Sequence, residues 1–307
     1  MADMRSGSVD QAAELRRMMA SVVSPPSSKI SRSLRSIAVV GGKGGVGKSN
    51  LSVNLALAMG QSGTRVALLD GDLGLANIDI LLGVQPSYNL THLIRGEKDL
   101  KEIVYTVGDQ VVLVPGGTGV EELANMDESS QSALIDRLAD LDGMADIIIV
   151  DTGAGIHRNM VSFALAVDTV ILVTTPEPTS IRDAYGLLKS LVFSAIGKLD
   201  VKVLVNMAVS SEEAKVVSDR MRFAASQFLR MELGYAGYVL IDPRLTEAVR
   251  ARKPLLRLFP KSVSAECIRM IAMDLVESEG RTSGAGRGVK SLFFKLSRRL
   301  GMNSERG

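Results

Sequence analysis

The stretch Gly42-Lys43-Gly44-Gly45-Val46-Gly47-Lys48-Ser49 constrains this chain more than any other, because it fits G-x-x-x-x-G-K-[ST] in the context that gives the pattern meaning. It follows an apolar, strand-like run at residues 37–40 and leads into helix-period residues at 51–59. Glycines at these positions let backbone N–H groups turn inward around phosphate oxygens, and the helix that starts there adds its positive end. Lys48 is placed to reach the β- and γ-phosphates and the Ser49 hydroxyl to ligate Mg²⁺. Phosphate contacts are therefore expected along Gly42, Lys43, Gly44, Gly45, Val46, Gly47, Lys48, Ser49 and Asn50. Lys43 is surplus to this chemistry. One lysine suffices, and a second flanked by glycines sits on the most pliable backbone of the motif.

A strand, a loop and a helix in that order imply a chain that keeps alternating, and this one does. Apolar runs at 66–69, 111–114, 147–150, 170–173, 201–205 and 238–241 are mostly continuous, as strands buried on both faces should be. Helix-period segments separate them, for example at 180–193 and 212–229. The expected fold is α/β, a doubly wound and mainly parallel sheet built around a P-loop. Such sheets bind ligands at the carboxyl ends of their strands. Two of those ends are acidic: the run at 66–69 leads into Asp70-Gly71-Asp72, and that at 147–150 into Asp151-Thr152-Gly153-Ala154-Gly155. A chain of 307 residues, 46% hydrophobic and 23% charged, is long enough to bury a full α/β core. Its single cysteine, Cys267, leaves no disulfide framework and no cysteine-cluster metal site, and points to a reducing, cytoplasmic setting. No apolar run reaches the length of a membrane span, and the first residues lack the apolar core of a secretory signal.

The sequence GGKGGVGKS resembles the deviant Walker A motif of the MinD/ParA family. The resemblance implies ATP and Mg²⁺ as ligands, ATP hydrolysis as the activity and a P-loop fold of the SIMIBI, MinD-like kind. It implies for Lys43 a catalytic reach across a dimer interface to the partner's ATP, so that nucleotide binding and homodimer formation become one event. Asp70-Gly71-Asp72 resembles the family's switch I, which gives Asp72 the catalytic task of orienting the attacking water. An unperturbed aspartate, pKa about 3.9, is too weak a base to do more. The Asp151 segment resembles Walker B and switch II, with Asp151 holding Mg²⁺ through water and Gly153 and Gly155 letting the loop respond to the γ-phosphate. Asn206 ends a strand where the family places an adenine contact. Asp242 and Pro243 lie near the family's Pro-x-Asp base loop, although Leu240 occupies the usual proline position. The lack of an Asn-Lys-x-Asp motif favours ATP over GTP.

The two ends of the chain narrow the resemblance. Charge is uneven: +3 over residues 1–35 and +6 over 281–307, against −7 for the body of a chain with net charge +2. An acidic body argues against nucleic acid as a partner. Beyond a Gly/Ser linker, Val289, Leu292, Phe293, Leu296 and Leu300 share one helical face, while Lys290, Lys295, Arg298 and Arg299 add positive charge with no acid between them. That is the composition of an interfacial membrane helix. It resembles the C-terminal targeting helix of MinD proteins, and the linker before it argues against packing on the body. At the other end, residues 8–23 read as a short amphipathic helix followed by a Ser/Pro linker. Its Asp10-Gln11-Ala12-Ala13-Glu14-Leu15-Arg16 resembles the DQAxxLR signature of the flagellar MinD-like ATPases, FlhG or FleN. In that family the segment binds and stimulates an SRP-type GTPase, FlhF, and Asp10, Gln11, Leu15 and Arg16 are the candidate contacts here.

The expected organisation is a partner-binding segment over 1–35, an ATPase domain over 36–278, and a linker with a membrane helix over 279–307. The resemblance implies a switch that controls flagellar number and placement, cytoplasmic and held peripherally on the inner face of the cell membrane in its ATP state. A flagellar transcription regulator or C-ring protein is a further partner it implies. The alternatives are a MinD-type division-site regulator and a ParA-type DNA-partition ATPase. An iron–sulfur carrier of the same superfamily would need paired cysteines.

Overall fold

Continuous apolar runs make strands that cannot face water, and the sheet is arranged to shield them. Its strands are β1 (Arg35–Val40), β2 (Val66–Gly71), β3 (Tyr105–Gly108), β4 (Val111–Val114), β5 (Ile147–Thr152), β6 (Thr169–Thr174), β7 (Val201–Ala208) and β8 (Gly234–Leu240). They lie in the order β3-β4-β2-β5-β1-β6-β7-β8. Every neighbouring pair is parallel except β3 with β4. The inner strands β1, β2, β5 and β6 are buried at each residue. The computed structural model describes residues 34–72, 77–108, 110–117, 128–277 and 288–301. The segment carrying Asp10, Gln11, Leu15 and Arg16 lies outside the described residues, as does the linker at 278–287.

The longer helices are α1 (Lys48–Gln61), α2 (Glu128–Leu138), α3 (Arg158–Ala166), α4 (Pro178–Ser194), α5 (Ser211–Leu229), α6 (Pro243–Arg250), α7 (Val263–Glu277) and α8 (Val289–Gly301). Strand alternation sends side chains to two core layers. Ile37 and Val39 of β1 join the layer of α1 and α7, whereas Ala38 and Val40 join that of α2, α3, α4 and α8. The edge strand β3 departs from the sequence expectation: Tyr105 and Thr106 are exposed, so no apolar run marks it. Among the described residues no helix is long and apolar enough to cross a membrane.

α8 corrects the expectation of a helix standing free of the body. Val289, Leu292, Phe293 and Leu296 are each at most 1% exposed and belong to the core layer under α2 and α3. The helix start is pinned as well. The Gly288 N–H donates to the Leu34 carbonyl at 3.1 Å, the Val289 N–H to Asp142 Oδ1 at 2.9 Å, and Lys290 Nζ to Asp136 at 2.7 Å. Burial of such side chains stabilises by about 1.5–3 kcal/mol each before ordering costs. Lys295 and Arg298 remain exposed on the outer side, and the Leu300 side chain lies outside the described residues. An apolar helical face is satisfied by protein as readily as by lipid, and its spacing alone does not distinguish them.

Candidate nucleotide site

The register of the central strands brings the acidic ends together. Asp151 of β5 pairs with Val39 of β1 on one side and Asp70 of β2 on the other, and Thr152 pairs with Gly71. The loop leaving β1 enters α1 at Lys48. Two of its glycines are required by space. A Cβ on Gly42 would lie 2.2 Å from the Asp183 carbonyl, and one on Gly47 would lie 2.4 Å from the Asn206 amide nitrogen. Gly47 also holds a left-handed φ of +92°. As the N-cap of α1 it has no side chain to occupy the first-turn N–H groups that a phosphate takes.

Beneath this loop the charges are interior. Lys48 is 7% exposed. Burial holds its ammonium below the usual lysine range, and the carboxylates of Asp151 and Asp72 partly restore it. Asp151 is 1% exposed and is pushed up to about 6, chiefly by burial, while the Ser49 and Ser52 hydroxyls and Lys48 draw it back. Ser52 Oγ donates to Asp151 Oδ1 at 2.9 Å, yet the buried Oδ2 has no hydrogen-bond partner. An interior carboxylate oxygen left unpartnered is costly unless something else meets it. With the Ser49 hydroxyl nearby, the donor set is hard and all-oxygen, which fits Mg²⁺. Bound there, Mg²⁺ would neutralise charge on the phosphate oxygens.

Asp70, 4% exposed, is pushed up to about 7 by burial and then by Asp151, and it accepts the Asp72 N–H at 3.2 Å. Asp72 lies against the loop after β5, since a Cβ on Gly153 would be 3.2 Å from its carboxylate. Lys48, Asp72 and Asp151, chosen from separate motifs, are thus brought to one place. Asp70 and Ser52, to which the motifs assign no role, share it.

Lys43 is held elsewhere. Its ammonium is ion-paired with Glu177 and donates to Thr179 Oγ1 at 3.3 Å, at the start of α4. The sequence reading missed this pair. A strand end at β6, followed by Pro178 at the first helical position, was the available signal.

Asn206 clamps the phosphate loop: Nδ2 donates to the Val46 carbonyl at 2.8 Å, and the residue is 1% exposed. An irregularity aims it. The β7–β8 register shifts between Val205 and Ala208, and Met207 holds φ +59°, uncommon for a residue with a side chain. Asp242 and Pro243 have a capping task that the base-loop reading did not assign. Asp242 caps α6, accepting the Arg244 N–H at 2.9 Å on one oxygen and the Ser264 N–H at 3.5 Å on the other. Pro243 is the first residue of α6, the usual Asp-Pro arrangement at a helix start.

Comparison with known proteins agrees with this geometry. The family model described as ParA, NUBPL iron-transfer P-loop NTPase, matches residues 33–276. The chain is 39% identical to the antiactivator FleN of Pseudomonas aeruginosa over 236 residues, 77% of this chain and 84% of that protein. It is 35% identical to the flagellum site-determining protein YlxH of Helicobacter pylori over 271 residues, 86% of this chain and 90% of that one. Among solved structures, the septum site-determining protein MinD of Pyrococcus horikoshii, complexed with Mg-ADP, matches with a TM-score of 0.63 at 26% identity, covering 81% of this chain and 100% of that chain. Iron transfer has no cysteine pair to stand on here, since the one cysteine, Cys267, is 4% exposed within α7.

Proposed function

The chain belongs to the ParA family of P-loop NTPases and is an ATP-hydrolysing enzyme served by ATP and Mg²⁺, and from that premise we propose that it is a switch controlling flagellar number and placement. The observation that carries the reading is the match to the antiactivator FleN and to the flagellum site-determining protein YlxH across most of their lengths. In this reading Lys48 and the loop amides hold the phosphates within one protomer. Lys43 leaves Glu177 to reach the ATP of a second copy, and the homodimer forms. Asp72 orients the attacking water, while Asp151 and Ser49 hold Mg²⁺. Asp10, Gln11, Leu15 and Arg16 engage an SRP-type GTPase of the FlhF kind.

The docked α8 adds a condition to membrane attachment. Its apolar face cannot enter lipid while it is buried against α2 and α3, so release has to precede insertion. A bilayer reburies the same face, which makes the exchange far less costly than exposure to water. α3 begins directly after the loop that follows Asp151, which supports nucleotide as the trigger. Two released helices on one dimer gain roughly 10²–10⁴ in avidity over one.

Deleting the gene in its flagellated host and counting flagella by electron microscopy tests the reading. Numbers or positions should be disturbed, wild type should restore them, and Asp72→Ala should not. Normal flagella with displaced septa would move the function to cell division. For the membrane step, the purified protein should pellet with phosphatidylglycerol vesicles in ATP and stay in solution in ADP. Phe293→Glu should dimerise with ATP without pelleting. Equal pelleting in all three conditions would remove the membrane step.

A further inference from the structure

Arg158 stands where a helix least favours a cation. It opens α3, at the positive end of the macrodipole, with no acidic residue in that turn. A residue kept against its local preference suggests a task beyond the fold. Beside it lies a groove of about 660 Å³ bordered by α3, the end of α4 and the outer side of docked α8. Lys295, Arg298 and Arg299 line it together with Arg158, and no acidic residue does. Val161 and Leu165 supply apolar lining. Ile156, Ile196 and Phe294 stand 52%, 87% and 55% exposed there, as side chains waiting for a partner do. Part of the cationic wall is held in place. Arg299 donates to the Ser194 carbonyl at 3.3 Å, and the Arg298 guanidinium lies 5.8 Å from the Phe294 ring.

We propose that this groove docks an acidic, amphipathic segment of a partner protein, with carboxylates on the four cations and apolar side chains on Val161, Leu165 and Phe294. Charge complementarity selects an anion. The concave shape, bordered by three helices, selects a chain segment over a flat bilayer. Ile156 belongs to the loop between Asp151 and α3, so an occupant touches the segment expected to answer to nucleotide. Because the groove is shared by α8 and the body, an occupant ties α8 down. The inference goes beyond the flagellar reading and stands without it.

Full-length Ser194→Cys protein, labelled with bimane, reports on the groove, and the native Cys267, 4% exposed, is shielded from the label. The probe is a synthetic helical peptide with Leu on one face and Glu on the other, alongside twins in which every Glu is Gln or Lys. The Glu peptide should shift the label saturably and bind about tenfold or more tighter than either twin. Protein carrying Arg158→Glu and Lys295→Glu should lose the Glu peptide by a similar factor and gain the Lys twin, a swap that misfolding cannot produce. Equal affinity for all three peptides, or no swap in the doubly reversed protein, overturns the proposal. So does a label shift produced by phosphatidylglycerol vesicles when the Glu peptide produces none, which would assign the groove to lipid.

Discussion

Lys48 and Lys43 sit a few residues apart on one loop, in opposite physical situations. Lys48 is 7% exposed and faces interior carboxylates. The Lys43 side chain is 29% exposed and that of its partner Glu177 is 66% exposed. Removing the inner lysine leaves Asp151 buried with less positive charge near it. The outer pair, screened by water, is worth about 1 kcal/mol at most. One loop therefore carries a buried charge held near carboxylates and an exposed charge free to change partners. Burial supplies geometry, and exposure supplies exchange.

The difference breaks most visibly if each lysine is truncated. Lys48→Ala should weaken ATP binding by roughly ten- to hundred-fold, the loss of a charge-assisted contact of about 1.5–3 kcal/mol. Lys43→Ala should change ATP affinity by no more than about threefold, because no contact within the protomer's own phosphate site is lost, yet remove ATP-dependent dimers. Isothermal titration gives the first quantity and light scattering the second. Comparable affinity losses in both variants would erase the distinction between an inner and an outer lysine.

The interior acids sharpen the same contrast through pH. Asp151 and Asp70 are pushed up to about 6 and about 7 from an ordinary value of 3.8. Between roughly pH 4 and pH 7 the native protein then keeps protons that the unfolded chain has released, so stability falls as pH rises through that window. The thermal midpoint of nucleotide-free, magnesium-free protein should drop by several degrees from about pH 5 to about pH 8. Asp70→Asn should flatten the drop, and ATP with Mg²⁺ should reduce it by favouring the ionised carboxylates. A midpoint that climbs across this range would contradict the buried-acid account.

Both lysines and the fold beneath them were legible in the sequence for a physical reason. A phosphate loop compresses its chemistry into consecutive residues, and apolar runs ending in aspartate mark the strand ends where ligands bind. What stayed hidden depends on packing between distant segments. Pro178 marks a helix start after β6, but nothing local to Lys43 or Glu177 says that the two meet. Asn206 was expected to end a strand, but β7 runs on to Ala208, and beside the left-handed Met207 its amide donates to the Val46 carbonyl. Asp242 followed by Pro243 is equally readable as a base loop or a helix cap until Arg244 and Ser264 supply the N–H groups. For α8, the face of Val289, Leu292, Phe293 and Leu296 reads the same whether lipid or α2 and α3 cover it.

The smallest effect should come from the outer pair itself. Glu177→Gln keeps the side chain's size and removes the charge that holds Lys43. An exposed ion pair contributes about 0.2–1 kcal/mol, which is roughly 1.4- to fivefold in an equilibrium constant. If Lys43 has to leave Glu177 before it can cross to a second copy, that amount is subtracted from dimerisation in the wild type and restored in the variant. A homodimer frees two such lysines, so Glu177→Gln should dimerise at a protein concentration lower by roughly two- to thirtyfold in saturating ATP. ATP affinity of the monomer should stay put, because Lys48 and Asp151 are untouched. Salt separates this from a change in shape. Raising ionic strength weakens an exposed pair far more than interior charges, so the gap between variant and wild type should close as salt is added. Light scattering across a salt series measures it. Weaker dimerisation of Glu177→Gln at every ionic strength would mean that Glu177 serves the dimer contact and does not restrain Lys43.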